Sequence, residues 1–234
     1  MRKIFAIAVK ELKTYFMSPS AYIILIICVA IFNFFFFVII DENREATLRD
    51  VFLAMHFIFM TVIPIITMKV FSEEKASGTL EFLLTTPTTP STIVLGKYLG
   101  SGIFLSIIIA VSSVYLFILE VFGSPDILSS LCGYLGVLLQ GCAAVAIGVF
   151  ISSLTKSQAI SGILTYVVLF FIYFAEILKK YVPEYLSVIL TQLSSSNRAE
   201  GFNTGVISLS DLVYYLSIII FSLVLSRLSL ERRN

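Results

Sequence analysis

The chain has 234 residues, of which 58% are hydrophobic and 13% are charged, whereas soluble domains carry about 25% charged residues. The mean hydropathy is +0.99, so the composition excludes a soluble globular domain and indicates an all-α integral membrane protein. The net charge of +1 leaves no footprint for nucleic acid. The three cysteines fall within apolar runs, which indicates buried small side chains and no metal site.

Residues 1–17 predict an amphipathic helix that lies in the membrane interface. At about 100° per residue, one face is apolar and the opposite face is basic. The apolar face comprises Ile4, Phe5, Ala8, Leu12, Tyr15 and Phe16, and the basic face comprises Arg2, Lys3, Lys10 and Lys13. Ser18 and Pro19 end the helix before the next apolar run. Such a helix serves as an orientation anchor or contacts a partner, and the pattern leaves both interpretations open.

Six apolar runs approach the roughly 20 residues that a membrane-spanning helix needs. They are Ser18–Ile40, Val51–Met68, Tyr98–Leu119, Ile127–Thr155, Ser157–Ala175 and Leu212–Ser226. The last run is short, and it reaches full length only if Arg227 directs its charge to the interface and Leu228–Leu230 continue the helix. The pattern predicts six membrane-spanning helices in a single transmembrane domain over residues 1–234.

The distribution of cations predicts the orientation of these spans, because Lys and Arg concentrate in cytoplasmic connections. The cations placed inside are Arg2, Lys3, Lys10, Lys13, Lys69, Lys75, Lys97, Lys156, Arg227, Arg232 and Arg233, and those placed outside are Arg44, Arg49, Lys179, Lys180 and Arg198. The 16 cations therefore divide 11 to 5. This division predicts a multi-pass protein of the cell (cytoplasmic or inner) membrane with both termini in the cytoplasm.

The connection between the second and third spans, residues 72–90, is charged and polar although the apolar runs on either side hold no charge. Ser72 is expected to cap a short helix with two glutamates in its first turn, where the helix dipole favours anions. Gly78 permits a sharp turn, and Thr79 is expected to cap a second helix. The spacing predicts a rigid amphipathic element at the cytoplasmic surface, which is either a docking element or a well-capped connecting loop.

The long connection after the fifth span, residues 179–210, predicts helices at the outer face. Its apolar residues at helical spacing are Tyr185, Leu186, Ile189, Leu190 and Leu193. This spacing indicates a helix that lies at the outer interface or dips into it. Ser194–Asn197 is expected to break this helix, and a second short element leads into the last span.

The sequence contains no GxxxxGK[ST] phosphate loop and no HExxH, CxxC or GxSxG motif. We therefore expect a chain that is not an enzyme and that binds no cofactor itself. His56 stands alone in an apolar span, which favours an interior histidine with satisfied hydrogen bonds over a proton relay. Pro64 removes a backbone donor from the second span and predicts a kink, which serves either as a hinge or as a packing feature.

The run from Phe71 to Thr85, followed by Pro87 and Ile93–Leu99, resembles the EK-x-x-GT-x-E signature of ABC-2 type permeases. These proteins are the membrane subunits of ATP-binding-cassette exporters. The run Ala146–Gln158 resembles the connection between the fourth and fifth spans of this family. Without a large soluble insertion, the chain is most similar to the short branch named for gliding motility and multicopper-enzyme maturation.

The resemblance implies that the connection after the second span is a coupling helix that docks on an ATPase. The residues carried over to it are Glu73, Glu74, Lys75, Gly78, Thr79, Glu81 and Pro87. The resemblance also implies that the N-terminal helix, with Lys3, Lys10 and Lys13, lies near the ATPase. The outer helices would cap the translocation path, with Tyr185, Ile189, Leu190 and Leu193 as the outer gate and Pro64 as a hinge.

The chain would then be the permease subunit of an ATP-driven exporter. Its implied partners are a second permease, identical or related, and ABC ATPase subunits, which bind ATP and Mg²⁺. Membrane lipids and an extracytoplasmic protein are further candidate partners. Two alternatives stay open: a secondary transporter or channel that needs no ATPase, and a scaffold that couples an ATPase to an extracytoplasmic machine without moving a solute.

Overall fold

The computed structural model describes residues 2–43, 47–85, 88–179 and 182–231, and these ranges contain helices and no strand. The helices are α1 (Arg2–Met17), α2 (Pro19–Asn43), α3 (Arg49–Thr67), α4 (Lys69–Ala76), α5 (Thr79–Thr85), α6 (Pro90–Ser112), α7 (Val114–Phe122), α8 (Ile127–Leu154), α9 (Gln158–Leu178), α10 (Glu184–Leu193), α11 (Ser195–Asn203) and α12 (Leu209–Glu231). The predicted all-α fold class is confirmed.

Six helical stretches in the described part of the chain are long and apolar enough to cross a membrane, as predicted. They are Pro19–Ile40, Arg49–Ala76, Pro90–Phe122, Ile127–Leu154, Gln158–Leu178 and Leu209–Glu231. The sixth stretch includes Arg227 and continues through Leu228–Leu230, which is the condition that the sequence set for a full-length span.

The third span begins earlier than the sequence predicted. The apolar run starts at Tyr98, but α6 begins at Pro90, where Thr89 caps the helix by accepting a hydrogen bond from the Thr92 amide. Proline suits the first turn of a helix because its missing donor is not needed there. The prediction of a later start was wrong because Lys97 is buried and paired with carboxylates, so its charge does not end the buried part of the helix.

Spans 2 and 4 form the centre of the bundle. About 67% of the apolar window of each is buried inside the protein, against 17% in spans 1 and 6 and 22% in span 5. Close approach of the two central helices depends on Gly148 of α8, where a Cβ atom would overlap the Thr67 side chain of α3. Spans 1, 5 and 6 lie around this centre and expose most of their apolar side chains.

The end of the bundle that carries α4, hereafter the α4 end, also holds the C-terminal part of α12. The Ser153 carbonyl at the end of α8 accepts hydrogen bonds from Lys75 Nζ of α4 and, at 3.0 Å, from Ser229 Oγ of α12. Helix α1 reaches the same end, because Glu11 contacts Lys97. Both terminal helices therefore lie on the side of the connection between spans 2 and 3, as an even number of spans requires.

The opposite end is covered by α10 and α11. Phe202 of α11 packs onto Gly136 of α8, and Arg198 Nη1 lies 2.8 Å from Asp211 Oδ1 at the start of α12. The expected break over Ser194–Asn197 is narrower than predicted: only the buried residue Ser194 separates the two helices, and the next three residues belong to α11. The break is short because Ser195, Ser196 and Asn197 form the first turn of α11, in which Ser195 is buried.

Candidate functional site

Helix α4 is an almost unbroken extension of the second span. Met68 joins α3 to α4 with helical backbone angles, φ −56° and ψ −30°. The prediction that Ser72 caps a new helix was therefore wrong: α4 begins at Lys69, and the Ser72 hydroxyl donates back to the Met68 carbonyl inside the helix. Helix α4 is therefore continuous with the second span.

Contacts with the end of α8 hold α4 in place. The Ser152 hydroxyl accepts hydrogen bonds from the backbone amides of Phe71 (3.0 Å) and Ser72 (3.1 Å). Lys75 is only 7% exposed, and its ammonium donates to the Ser153 carbonyl. A cation at this position complements the partial negative charge at the C-terminus of a helix. Lys75, a predicted docking residue, thus braces α4 against α8.

A buried ion cluster, hereafter the Lys97 cluster, joins three helices at the α4 end. Lys97 of α6 is 2% exposed, and its Nζ lies 2.7 Å from Glu11 Oε1 of α1 and 2.9 Å from Glu74 Oε1 of α4. It also donates to the Val70 carbonyl at 2.8 Å. The ring of Phe71 covers the ammonium, with its centroid 5.2 Å from Nζ. Glu74, another predicted docking residue, therefore points inward.

The sequence contains a signal for this cluster that the count of cations on each side of the membrane did not reveal. Glu11 is the single acid among the cations of α1, and Lys97 stands at the edge of a long apolar run. A charge at the edge of an apolar run, such as Lys97, tends to be paired, because an unpaired buried charge is costly. The separation of Glu11 and Lys97 by 86 residues hides the pairing from any local pattern.

Helix α1 packs closely against α6 through two glycines. A Cβ atom at Gly96 would lie 2.6 Å from Ile7 Cβ, and one at Gly100 would lie 2.6 Å from Glu11 Cβ. Small residues four apart let two helix backbones approach. Glu11 is thereby brought close enough to reach Lys97.

A tyrosine strengthens the contact of α1 with the spans. The Tyr15 hydroxyl donates to the Ile66 carbonyl at 3.0 Å and lies 3.0 Å from Ser101 Oγ. Its ring stacks on Phe104 at 4.9 Å. Burial raises the pKa of the Tyr15 hydroxyl, so it stays protonated and keeps its role as a donor. Helix α1 is therefore fastened by packing, by charge and by hydrogen bonding.

The basic residues of α1 lie on its other side. Lys3, Lys10 and Lys13 are exposed, and so is Phe5 at 68% although the sequence placed it on the apolar face. Phe5 does not reach α6 because Ala8 and the glycines of α6 form the line of contact. A cleft of about 450 Å³ separates α1 and the start of α2 from α3 and α4, and both acids of the Lys97 cluster line it.

The turn between α4 and α5 depends on Gly78. Its φ of +73° is in the left-handed region that favours glycine. The Ser77 hydroxyl donates to the Glu73 carbonyl at 3.0 Å and lies 2.9 Å from Thr79 Oγ1. These contacts satisfy carbonyls at the end of α4 and fix the angle at which α5 leaves it.

The surface of the α4–α5 hairpin combines acids with an apolar side chain. Glu73, Thr79 and Glu81 are exposed, and Phe82 is 75% exposed. Leu80, on the other side of α5, is buried at 4%. We call the four exposed residues the hairpin surface. Pro87, also predicted here, lies outside the described residues.

The remaining predicted residues lie elsewhere in the bundle. Pro64 is buried within α3, which continues past it to Thr67. On α10, Ile189 is 59% exposed, while Leu190 and Leu193 are half-buried; the side chain of Tyr185 lies outside the described part of the structure. The described residues contain no group of three or more His, Cys, Asp or Glu side chains that could hold a metal ion.

Six helices long and apolar enough to span a membrane, an amphipathic first helix and a hairpin that extends the second span define a multi-pass membrane protein. A sequence model described as "ABC-2 family transporter protein" matches residues 5–233, and the chain belongs to this family. It is thus a membrane permease component of an ABC transporter; such components are generally non-catalytic and typically pair with ABC ATPase subunits. A search of curated proteins found no significant match.

Proposed function

We propose that this chain couples ATP hydrolysis in separate ATPase subunits to export, with the α4–α5 hairpin as its docking element. The observation that carries the proposal is the hairpin surface, an exposed group of two acids, a threonine and a phenylalanine on a rigidly held support. Phe82 at 75% exposure suits a pocket on a protein partner, and Glu73 and Glu81 suit cationic side chains around it.

The residues carried over from the family signature divide into two roles. Glu73, Gly78, Thr79 and Glu81 would contact the ATPase or shape the surface that contacts it. Glu74 and Lys75 would transmit the motion, because their contacts with Lys97 and with the end of α8 tie the hairpin to the spans. Pro87 would return the chain to the third span.

Orientation and assembly complete the proposal. The division of cations supports a cytoplasmic location for the α4 end and both termini, in the cell membrane. Lys3, Lys10 and Lys13 on α1 would meet anionic lipid headgroups and the edge of the ATPase. A second permease, identical or related, would complete the pathway, because the exposed spans 1, 5 and 6 enclose none by themselves. Pro64 would act as a hinge, and α10 would cap the outer end.

The test is a charge reversal on the hairpin surface. The tagged chain would be purified from its native membranes, and the amount and hydrolytic activity of the co-purified ABC ATPase would be measured. Loss of a desolvated interfacial charge pair costs about 2–5 kcal/mol, so Glu81→Lys should reduce the retained ATPase at least tenfold.

Glu200→Lys provides the matched control, because Glu200 is an exposed acid at the opposite end of the bundle with one weak pair at 3.5 Å. This variant should retain the ATPase. Full retention and full transport by Glu81→Lys would show that the hairpin is only a connector between spans.

A further inference from the structure

A small cavity with a mostly apolar lining and a few polar side chains lies within the bundle, below α11 and away from the α4 end. Its volume is about 30 Å³. Its polar lining comes from five helices, with His56 in α3, Gln140 in α8, Tyr173 in α9, Ser195 in α11 and Tyr214 and Tyr215 in α12. The rest of the lining is mostly apolar, so each polar group there has few alternative partners.

His56 and Gln140 carry polar atoms that find no partner among the described residues. His56 is 1% exposed and Gln140 is 8% exposed. The unpaired atoms are His56 Nδ1 and Gln140 Oε1. Buried polar atoms in proteins are nearly always hydrogen-bonded to protein or to water, because burial without a partner is costly. The expectation of an interior histidine with satisfied hydrogen bonds therefore holds for only one of its two nitrogens.

Both unpaired atoms are acceptors. His56 Nε2 lies 3.4 Å from Asn203 Oδ1, which can only accept. With the Asn203 amide in this orientation, Nε2 carries the proton and Nδ1 of the neutral ring presents a lone pair. Gln140 Oε1 is a carbonyl oxygen. Two acceptors cannot bond to each other, so each needs a donor that the described residues do not supply.

Water has the size and chemistry that this cavity selects. A water molecule needs about 10–15 Å³ of such space and two to four polar partners, so 30 Å³ accommodates about two. One water molecule can donate to two acceptors at once. A metal cation fits less well, because hard cations take six or more oxygen ligands and the two unpaired acceptors include a single oxygen.

We propose that this cavity is an internal water site, in which one or two water molecules donate hydrogen bonds to His56 Nδ1 and Gln140 Oε1. The water links span 2 to span 4 directly beneath α11. It supplies the partners that the protein does not, and it makes these two central helices dependent on a bound solvent molecule.

The test combines a density map with a thermal shift. A high-resolution map of the full chain in lipid nanodiscs should show a solvent peak within hydrogen-bonding distance of His56 Nδ1 and Gln140 Oε1. Gln140→Met keeps the shape of the side chain and removes its acceptor. Gln140 makes no hydrogen bond with the described residues, so in a dry cavity this change removes only an unpaired group and leaves Tm unchanged or raises it. In a hydrated cavity it removes a ligand of the water and lowers Tm by several degrees.

Ser161→Ala is the matched control, because its hydroxyl is also buried and unpaired among the described residues but does not line the cavity. We expect this variant to melt at or above the temperature of the native chain. The proposal requires both the solvent peak and the fall in Tm for Gln140→Met. Well-ordered side chains around a cavity without density would overturn it, as would a Gln140→Met variant that melts no lower than the native chain. A peak with six or more short oxygen contacts would identify an ion in place of water and would overturn it as well.

Discussion

Glu74 Oε1 lies 2.9 Å from Lys97 Nζ, and this pair connects α4 to the start of the third span across 23 residues of sequence. The same ammonium lies 2.7 Å from Glu11 of α1. One buried cation thus fixes the relative positions of the first helix, the α4–α5 hairpin and a membrane span. Separating these charges would leave the buried ammonium of Lys97 without its carboxylate partners, which is costly.

The first prediction concerns this cluster. Lys97→Met leaves two carboxylates close together without their cation, and breaking a buried ion pair from one side costs about 3–5 kcal/mol. We expect the apparent Tm of the purified chain in detergent to fall by several degrees. The triple variant Lys97→Met/Glu11→Gln/Glu74→Gln should recover most of the loss, because no unpaired charge remains. A Lys97→Met variant that melts like the native chain would show that the cluster does not stabilise the bundle.

The second prediction uses two glycines of α6 as a matched pair. Gly100→Ala places a methyl group 2.6 Å from Glu11 Cβ and 3.1 Å from the Ala8 carbonyl, so α1 must move away. Gly102→Ala meets no atom within 4 Å and should be neutral or stabilising, since alanine is favoured over glycine in helices by about 1 kcal/mol. Limited proteolysis should cleave α1 faster in the first variant only. Equal cleavage of both would contradict the close packing of α1 on α6.

The third prediction concerns the turn at Gly78. A side chain there would meet open space, but the φ of +73° disfavours one. The expected loss from Gly78→Val is therefore due to backbone strain of about 1–2 kcal/mol and not to a clash. Gly78→Asn should be tolerated better, since asparagine adopts this conformation more readily. Co-purification with the ATPase should rank the native chain first, Gly78→Asn next and Gly78→Val last; an equal yield for all three would refute the role of the turn.

The fourth prediction tests orientation. In a background with Cys28, Cys132 and Cys142 replaced by alanine, Glu81→Cys and Asn197→Cys each introduce a single thiol at an exposed position, one at each end of the bundle. An impermeant maleimide added to intact cells should label Asn197→Cys and should label Glu81→Cys only after the membrane is permeabilised. Labelling of Glu81→Cys in intact cells would reverse the proposed topology.

The fifth prediction separates two residues of α10. Ile189 is 59% exposed, so Ile189→Asp should leave Tm unchanged in detergent, and it should reduce transport if this face caps the pathway or meets a second permease. Leu190 is half-buried within the chain, so Leu190→Asp should lower Tm in addition to reducing transport. Normal transport by a stable Ile189→Asp variant would make α10 a surface feature without a gating role.

Patterns within one stretch of chain were read correctly from the sequence. Six apolar runs predicted six spans, because a helix in a lipid environment must present apolar side chains over a length set by the membrane. The helical period of α1 and the turn at Gly78 were also predicted from local patterns. The last span meets the condition that the sequence set, because it continues through Arg227. Each depends on residues within a few turns of one another.

Local patterns failed where a helix continued past its expected end and where a charged side chain pointed into the bundle. Ser72 carries the residue type of a helix cap, but the second span passes through Met68 without a break, so no new helix end exists to be capped. Glu74 and Lys75 were predicted as docking residues of a surface element, yet both side chains contact partners in other helices.

The sequence by itself determined that this is a six-span membrane protein with a charged connection after the second span, because hydrophobic length and charge are properties of the residues themselves. Only the tertiary structure decided which charges of that connection are exposed. Lys97 meets Glu11 across 86 residues, and His56 meets Asn203 across 147. Such pairings depend on how helices pack, and helix packing depends on side-chain volume and close contacts that no local period of the sequence encodes.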